Sequence, residues 1–347
     1  MRAKRTTILC GLTSALLGLS TTALAMEPWE SAMSGPGSEL ATPKGASFLD
    51  DQTSAQIAKQ GDSVIYADAA PSGPNIHGFA AATVSTDYIT PRGLVVADED
   101  TVVQPIVGLV FPIGDLGPLK NFTFVGGLWN CVTFVQQDPH VGPWNELDDF
   151  FSISFDPFIP NLNAALTYVA FNSPTGAYDT EHNSDLKLSY DDKSFWGGNF
   201  GIEPYVDLWW AMAGSSTVVA GKPGDTGYAE IGVVPTYTVK AIPSYPVTLK
   251  VPTYISVGPK DYWSYDDIPG TPTGGSWGDG NVGVFSTGLS ASIPLNIIPV
   301  QYGYWHLDAG ITYFDLISNG LVFGGELASG NTRRDLIMGT ITLGVNF

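Results

Sequence analysis

Residues Ile337 to Phe347 read I-M-G-T-I-T-L-G-V-N-F and alternate without a break. Phe347, Val345, Leu343, Ile341, Gly339 and Ile337 share one register; Asn346, Gly344, Thr342, Thr340 and Met338 share the other. In a β-strand these sets face opposite sides. One side is apolar and ends in an aromatic ring; the other is small and polar apart from Met338. A soluble sandwich strand can carry this pattern. A membrane-barrel strand, with lipid outside and water inside, must carry it.

From Gly78 onward the chain breaks into about twelve strand-like segments, separated by Gly, Pro, Asn and Asp clusters. They run over 79–90, 102–111, 122–135, 146–156, 162–171, 184–190, 199–212, 227–240, 247–257, 281–293, 302–315 and 335–347. In 227–240, Ala229, Ile231, Val233, Tyr237 and Val239 oppose Glu230, Gly232, Thr236, Thr238 and Lys240. In 302–315, Trp305, Leu307, Ala309, Ile311 and Tyr313 oppose His306, Asp308, Gly310 and Thr312. Segment 122–135 has large apolar groups on both faces, so its register is undetermined. Short and long connections largely alternate, as periplasmic turns and outer loops do in bacterial barrels. The first hairpin, around Leu94 to Thr101, breaks that rule. The expectation is an all-β, antiparallel transmembrane β-barrel of about twelve strands, within roughly ten to fourteen, with short periplasmic turns and longer outer loops.

Compartment follows from the other end. Arg2, Lys4 and Arg5 precede an apolar stretch, Ile8 to Leu19, and Ala23-Leu24-Ala25 is a small-x-small cleavage signal. Residues 1–25 are therefore expected to be a signal peptide, and 78–347 the barrel. Between them, 26–77 is rich in Ser, Gly, Pro, Ala and Asp, and reads as a flexible periplasmic leader or a plug in the lumen. Cys10 lies in the signal, leaving Cys131 without an internal disulfide partner. No mature stretch reaches the roughly 20 apolar residues of a membrane helix, yet charged residues are only 14%. Removing Arg2, Lys4 and Arg5 from the 15 basic residues leaves 12 against 34 acids, a formal charge of −22. That sign excludes a nucleic-acid partner.

The four histidines, His77, His140, His182 and His306, belong to no recognised catalytic or metal-binding spacing. No metal or cofactor is expected. His306 and Asp308 share a face, which permits base chemistry; more often, such a pair sits in a hydrated lumen network. Outer-membrane phospholipases are also about twelve-stranded and use Ser and His at the outer lipid boundary, so a hydrolase remains an alternative. The more informative set is Glu203, Asp207, Glu230, Lys240, Lys250, His306 and Asp308, all opposite apolar faces. In a sandwich they form a wet outer surface; in a barrel they line the pore, since charges face lipid only at high cost. Acidic clusters at Asp98-Glu99-Asp100, Asp148-Asp149, Asp191-Asp192 and Asp266-Asp267 read as loops. The aromatic stretch from Tyr262 to Gly278 reads as a membrane belt or a sugar-stacking surface.

Two resemblances add to this. Phe347, with Val345, Leu343 and Ile341 behind it, resembles the C-terminal recognition strand of bacterial outer-membrane barrels, which implies a signal for the barrel-assembly machinery. Val84 to Leu94, V-S-T-D-Y-I-T-P-R-G-L, resembles the first-strand signature of the TorF-type porin family of proteobacterial outer membranes. Asp87, Tyr88, Arg92 and Gly93 match, with one extra residue between Tyr88 and Arg92 and Pro91 before the arginine. The resemblance implies a channel. The expected function is passive diffusion of small solutes or ions across the outer membrane, in contact with its lipids and with cations favoured by the acid excess. A secreted, carbohydrate-binding sandwich stays open as a further alternative.

Overall fold

The computed structural model describes residues 76–134, 143–176, 179–213, 226–241, 245–259, 262–263 and 281–347. Residues 1–75, which span the expected signal peptide and nearly all of the expected leader, lie outside them, as do His140 and Asp266-Asp267. Seventeen strands and one α-helix follow in order: β1 (His77–Ser85), β2 (Tyr88–Ile89), β3 (Val95–Ala97), β4 (Val102–Leu116), β5 (Leu119–Thr133), β6 (Trp144–Asp156), β7 (Leu162–Asn172), β8 (Glu181–Tyr190), β9 (Phe200–Gly201), β10 (Pro204–Ala213), β11 (Thr226–Val233), β12 (Thr236–Val239), β13 (Val247–Lys250), β14 (Thr253–Val257), β15 (Val282–Pro294), β16 (Tyr304–Leu316), α1 (Asn319–Ser329) and β17 (Asp335–Asn346).

Apart from β2 and β3 these strands form one closed antiparallel barrel of twelve staves. Each of the pairs β9/β10, β11/β12 and β13/β14 is a single stave with a break in it. The breaks fall at Glu203, with φ of 50°, at Pro235 and at Pro252, where the ring removes a ladder donor. They lie side by side, and the ladder is carried across them by Val234 N to Ile202 O (2.9 Å), Val251 N to Pro235 O (2.8 Å) and Gly288 N to Pro252 O (2.9 Å). The barrel closes where β1 meets β17, from Phe79 opposite Asn346 to Ser85 opposite Thr340.

Alternation sorts the side chains. Outward positions such as Val107, Leu128, Phe151, Leu166, Leu208, Ile231, Leu289, Ile341 and Leu343 are apolar and exposed. Inward positions such as Thr83, Ser152, Thr167, Asp207, Glu230, Thr340 and Thr342 are polar and covered. The two faces of Ile337 to Phe347 are therefore lipid and lumen. Met338, the odd member of the polar face, packs with Leu336 in the barrel's interior core.

Two expectations are corrected. The first strand stops at Ser85, short of residue 90, because Tyr88–Ile89 leaves the wall to pair with Val95–Ala97. The connection from β1 to β4 is thus long and lies at the same end as 173–180 and 317–334, so the first hairpin obeys the loop rule. That end is the outer one; the short turns at 117–118 and 157–161 share the opposite end with His77 and Phe347. Segment 122–135 resisted assignment because its inward face is also apolar: Val125, Trp129 and Cys131 pack against chain inside the lumen.

Candidate functional site

The lumen has two unlike halves. Its outer half is filled by residues 86–101, a strap folded into the barrel, backed by α1 and by Tyr262–Trp263. The strap turns on Thr90, whose amide donates to Leu94 O (2.9 Å) and whose hydroxyl accepts from Leu94 N (3.1 Å). Gly93 completes the turn at φ 89°, and a Cβ there would run into Leu321 and Val284. The helix behind it starts at Ser318, whose hydroxyl accepts from Gly320 N, and ends at Gly330 in the left-handed region, the expected residue types for both positions. It packs on β3.

The four positions matched in the sequence signature all serve the strap. Asp87 accepts from Thr86 Oγ1 (2.5 Å) and from Glu99 N (2.8 Å), closing the strap's base. Tyr88 donates to Glu146 Oε2 on β6 at 2.8 Å. Arg92 reaches Glu181 on β8 at 3.2 Å, with both side chains almost fully buried. Its guanidinium lies 4.7 Å from the Phe171 ring centroid and 5.4 Å from that of Trp209. The backbone is tied down as well: Tyr254 OH donates to Pro91 O (3.2 Å) and Trp263 Nε1 to Arg92 O (3.3 Å). Burial alone would lower the Arg92 pKa, but the Glu181 carboxylate and surrounding tyrosines hold it above its ordinary value. Arg92 is therefore a fixed charge.

The periplasmic half is polar. Lys187, Asp207 and Glu230 are neighbours across β8, β10 and β11. Tyr205 donates to Glu230, and the Lys187 ammonium sits 4.6 Å from the Tyr205 ring centroid. Farther round the wall, His306 Nδ1 and Asp308 Oδ2 are 2.9 Å apart, with Lys250 inward on β13. Glu203 and Lys240 sit at the periplasmic rim: Glu203 pairs with Lys193 at 3.2 Å, and Lys240 donates to Asn199 Oδ1 at 2.5 Å. The seven residues picked out by the sequence thus divide into inward groups on the wall and a rim pair beside the breaks. Of the residues expected to form an assembly signal, Ile341 and Leu343 face outward, and Phe347 exchanges backbone bonds with Gly78 at 2.7 and 2.9 Å.

Four inward acids escaped the sequence reading: Glu146, Asp148, Glu181 and Asp185, all buried. Asp148 and Asp149 form part of β6 rather than a loop, one inward and one outward. Glu181 precedes the segment assigned to its strand. Tyr262 and Trp263 are buried against Tyr228 rather than on a rim; the rest of that aromatic stretch, 264–278, lies outside the described residues. A usable signal existed for the strap alone, in the Tyr88 and Arg92 of the matched motif.

The Glu203 break is held by Asp192, whose Oδ1 accepts from Ile202 N (2.8 Å) and Glu203 N (3.0 Å) while Oδ2 accepts from Trp196 Nε1 (2.8 Å). Burial would raise the Asp192 pKa, but these donors outweigh it and lower the value below 3.8. A depressed carboxylate stabilises the fold above its ordinary pKa and loses that effect as pH falls through the folded value. Asp192→Ala, which strands these donors, should cost about 1–3 kcal/mol at neutral pH. The difference from wild type should shrink below about pH 3.8. Denaturant unfolding in micelles at several pH values measures it.

No family model matches the sequence, and no curated protein does. Among solved structures, the chain is similar to an outer membrane channel from Pseudomonas putida F1, at 11% identity and a TM-score of 0.44 over 81% of this chain and 97% of that one. It is similar to the NanC porin at 10% identity, a TM-score of 0.39, and 77% and 98% coverage. It is also similar to the translocator domain of the autotransporter NalP from Neisseria meningitidis, at 12% identity, a TM-score of 0.34, and 86% and 98% coverage. These superpositions are loose; the assignment to a membrane rests on the barrel's own faces. A closed barrel with an apolar outer belt and a polar interior is built for a bilayer. The protein is an outer-membrane β-barrel.

Proposed function

We propose that the barrel is a porin-like channel for passive movement of small solutes or ions, with cations favoured. The observation that carries this reading is the inward charge on the periplasmic wall, where Asp207 and Glu230 lie beside Lys187 and Asp308 beside His306. Charges of both signs along a narrow lumen set ion preference, and the formal charge of −22 left without residues 1–25 tilts the field toward cations. Planar-bilayer recordings under a salt gradient test it. Wild type should show a cation-selective reversal potential, and Asp207→Asn with Glu230→Gln should move that potential toward zero. Anion selectivity, or a potential untouched by the double substitution, would overturn the preference.

The same reading takes residues 1–25 as a signal peptide, 26–77 as a periplasmic leader and Phe347 as an assembly signal. The TorF-type porins are its proposed relatives, supported by the work of Asp87, Tyr88, Arg92 and Gly93 in one strap. Removing Phe347 should lower the inserted, heat-modifiable fraction in outer membranes several-fold while export continues. Unchanged insertion would leave Phe347 as no more than the end of β17.

A further inference from the structure

A guanidinium cannot shed its proton, so a buried one needs carboxylates and polarisable faces around it. The outer half of the lumen supplies both. Glu146 stands on β6, Phe171 on β7, Glu181 on β8 and Trp209 on β10, so four adjoining staves build the cage. Phe171 and Glu181 are direct partners across β7 and β8, and the Phe171 and Trp209 rings stack 6.2 Å apart. Glu146, Glu181, Phe171 and Trp209 belong to the barrel wall; Tyr262, beside Arg92, comes from the connection after β14, and the strap supplies the occupant, Arg92, and the Tyr88 hydroxyl on Glu146. Two carboxylates and two ring faces around a single positive charge form a receptor for organic cations.

We infer that this cage is an organic-cation site, occupied at rest by the chain's own Arg92, and that a solute bearing a guanidinium or alkylammonium group competes for it and releases the strap. The cage selects by three criteria. Positive charge is required by Glu181 and Glu146, a flat or methylated head by Phe171 and Trp209, and small size by the strap's close packing. Competition is against a tethered rival. A short tether gives Arg92 an effective concentration of order millimolar or higher, so free cations act at about that level or above.

The release of the strap rests on the channel reading; the binding site does not, and the test separates them. Ethylguanidinium is the probe, and urea, its neutral planar counterpart, is the control. Full-length Arg92→Ala in detergent, with no tethered rival, should show saturable stabilisation by ethylguanidinium at lower concentration than wild type requires, none by urea, and loss of the effect when Glu181→Gln is added. Should Arg92→Ala fail to assemble, Arg92→Lys takes its place. It retains the charge but loses the planar stack, and should yield to ethylguanidinium at lower concentration than wild type. In bilayers, ethylguanidinium on the outer side should raise wild-type conductance while urea does not. Equal responses to ethylguanidinium and urea in the Arg92 variants overturn the site. Wild-type conductance that ignores ethylguanidinium overturns release of the strap. Saturable binding in a barrel that never conducts upholds the site and overturns the channel reading.

Discussion

Glu181→Ala should be among the most damaging single substitutions in the barrel, lowering stability by about 3–5 kcal/mol. The figure follows from charge rather than from contact area. Arg92 is 3% exposed and Glu181 1%, and the guanidinium has no neutral form to retreat to. Removing its partner leaves a cation facing the Phe171 and Trp209 rings, with the Glu146 carboxylate already engaged by Tyr88. The strap should therefore leave the lumen in the variant. A companion variant separates charge from packing. Arg92→Met with Glu181→Leu removes both charges together and should recover most of the loss, since a buried pair replaced by apolar groups of similar volume is often neutral or stabilising. Urea unfolding followed by heat-modifiable migration measures all three proteins. A double variant no better than Glu181→Ala would mean that the pair serves through its shape rather than its charge.

The second large effect lies on the opposite face of the wall. Leu166 is 50% exposed, near the middle of β7, opposite Ile153 on β6 and Leu186 on β8. Arginine at mid-bilayer on a barrel's lipid face costs about 2–4 kcal/mol. Leu166→Arg should lower the folding equilibrium constant in a bilayer by at least tenfold at the lower bound, because about 1.4 kcal/mol corresponds to a factor of ten. Leu166→Ile retains the apolar surface and should assemble like wild type. Thr167, one residue along, faces inward and shares a hydroxyl contact with Ser152 at 3.2 Å, so Thr167→Ser should also be mild. Normal assembly of Leu166→Arg would place this part of β7 away from acyl chains.

What the sequence revealed tracks what period-2 patterning can encode. Staves with lipid on one side and water on the other, such as β16 and β17, are legible because their two faces differ. β5 is not, because Trp129 and Val125 point into a lumen filled with protein, so apolar residues occupy both faces. The strap was hidden for a related reason. Tyr88, Ile89, Val95 and Ala97 continue a strand-like composition past Ser85, and tertiary partners distant in sequence, among them Glu146, Glu181, Tyr254 and Trp263, hold them off the wall. Helix α1 carries a capping serine at Ser318 and a terminating glycine at Gly330, but these lie inside a long Gly-rich connection that reads as loop. The wall charges Asp207, Glu230, Lys250 and Asp308 were found because each sits opposite a clean apolar face. Glu146 and Asp148 were not, since adjacent acids near a segment's start look like a solvated loop.

The seam between β1 and β17 also bears on how the molecule forms. Thr83 and Thr342 share a hydrogen bond of 2.7 Å across 259 positions of sequence. Neighbouring staves elsewhere are hairpin partners that form from nearby chain, so most of the wall has low contact order. Closure does not: its loop entropy must be met in one step, after both edges exist. Until then the partly built sheet presents two unpaired edges and an uncovered apolar face, the features that lead to misassociation. Closing the β1–β17 seam is thus the step that removes both exposed edges at once.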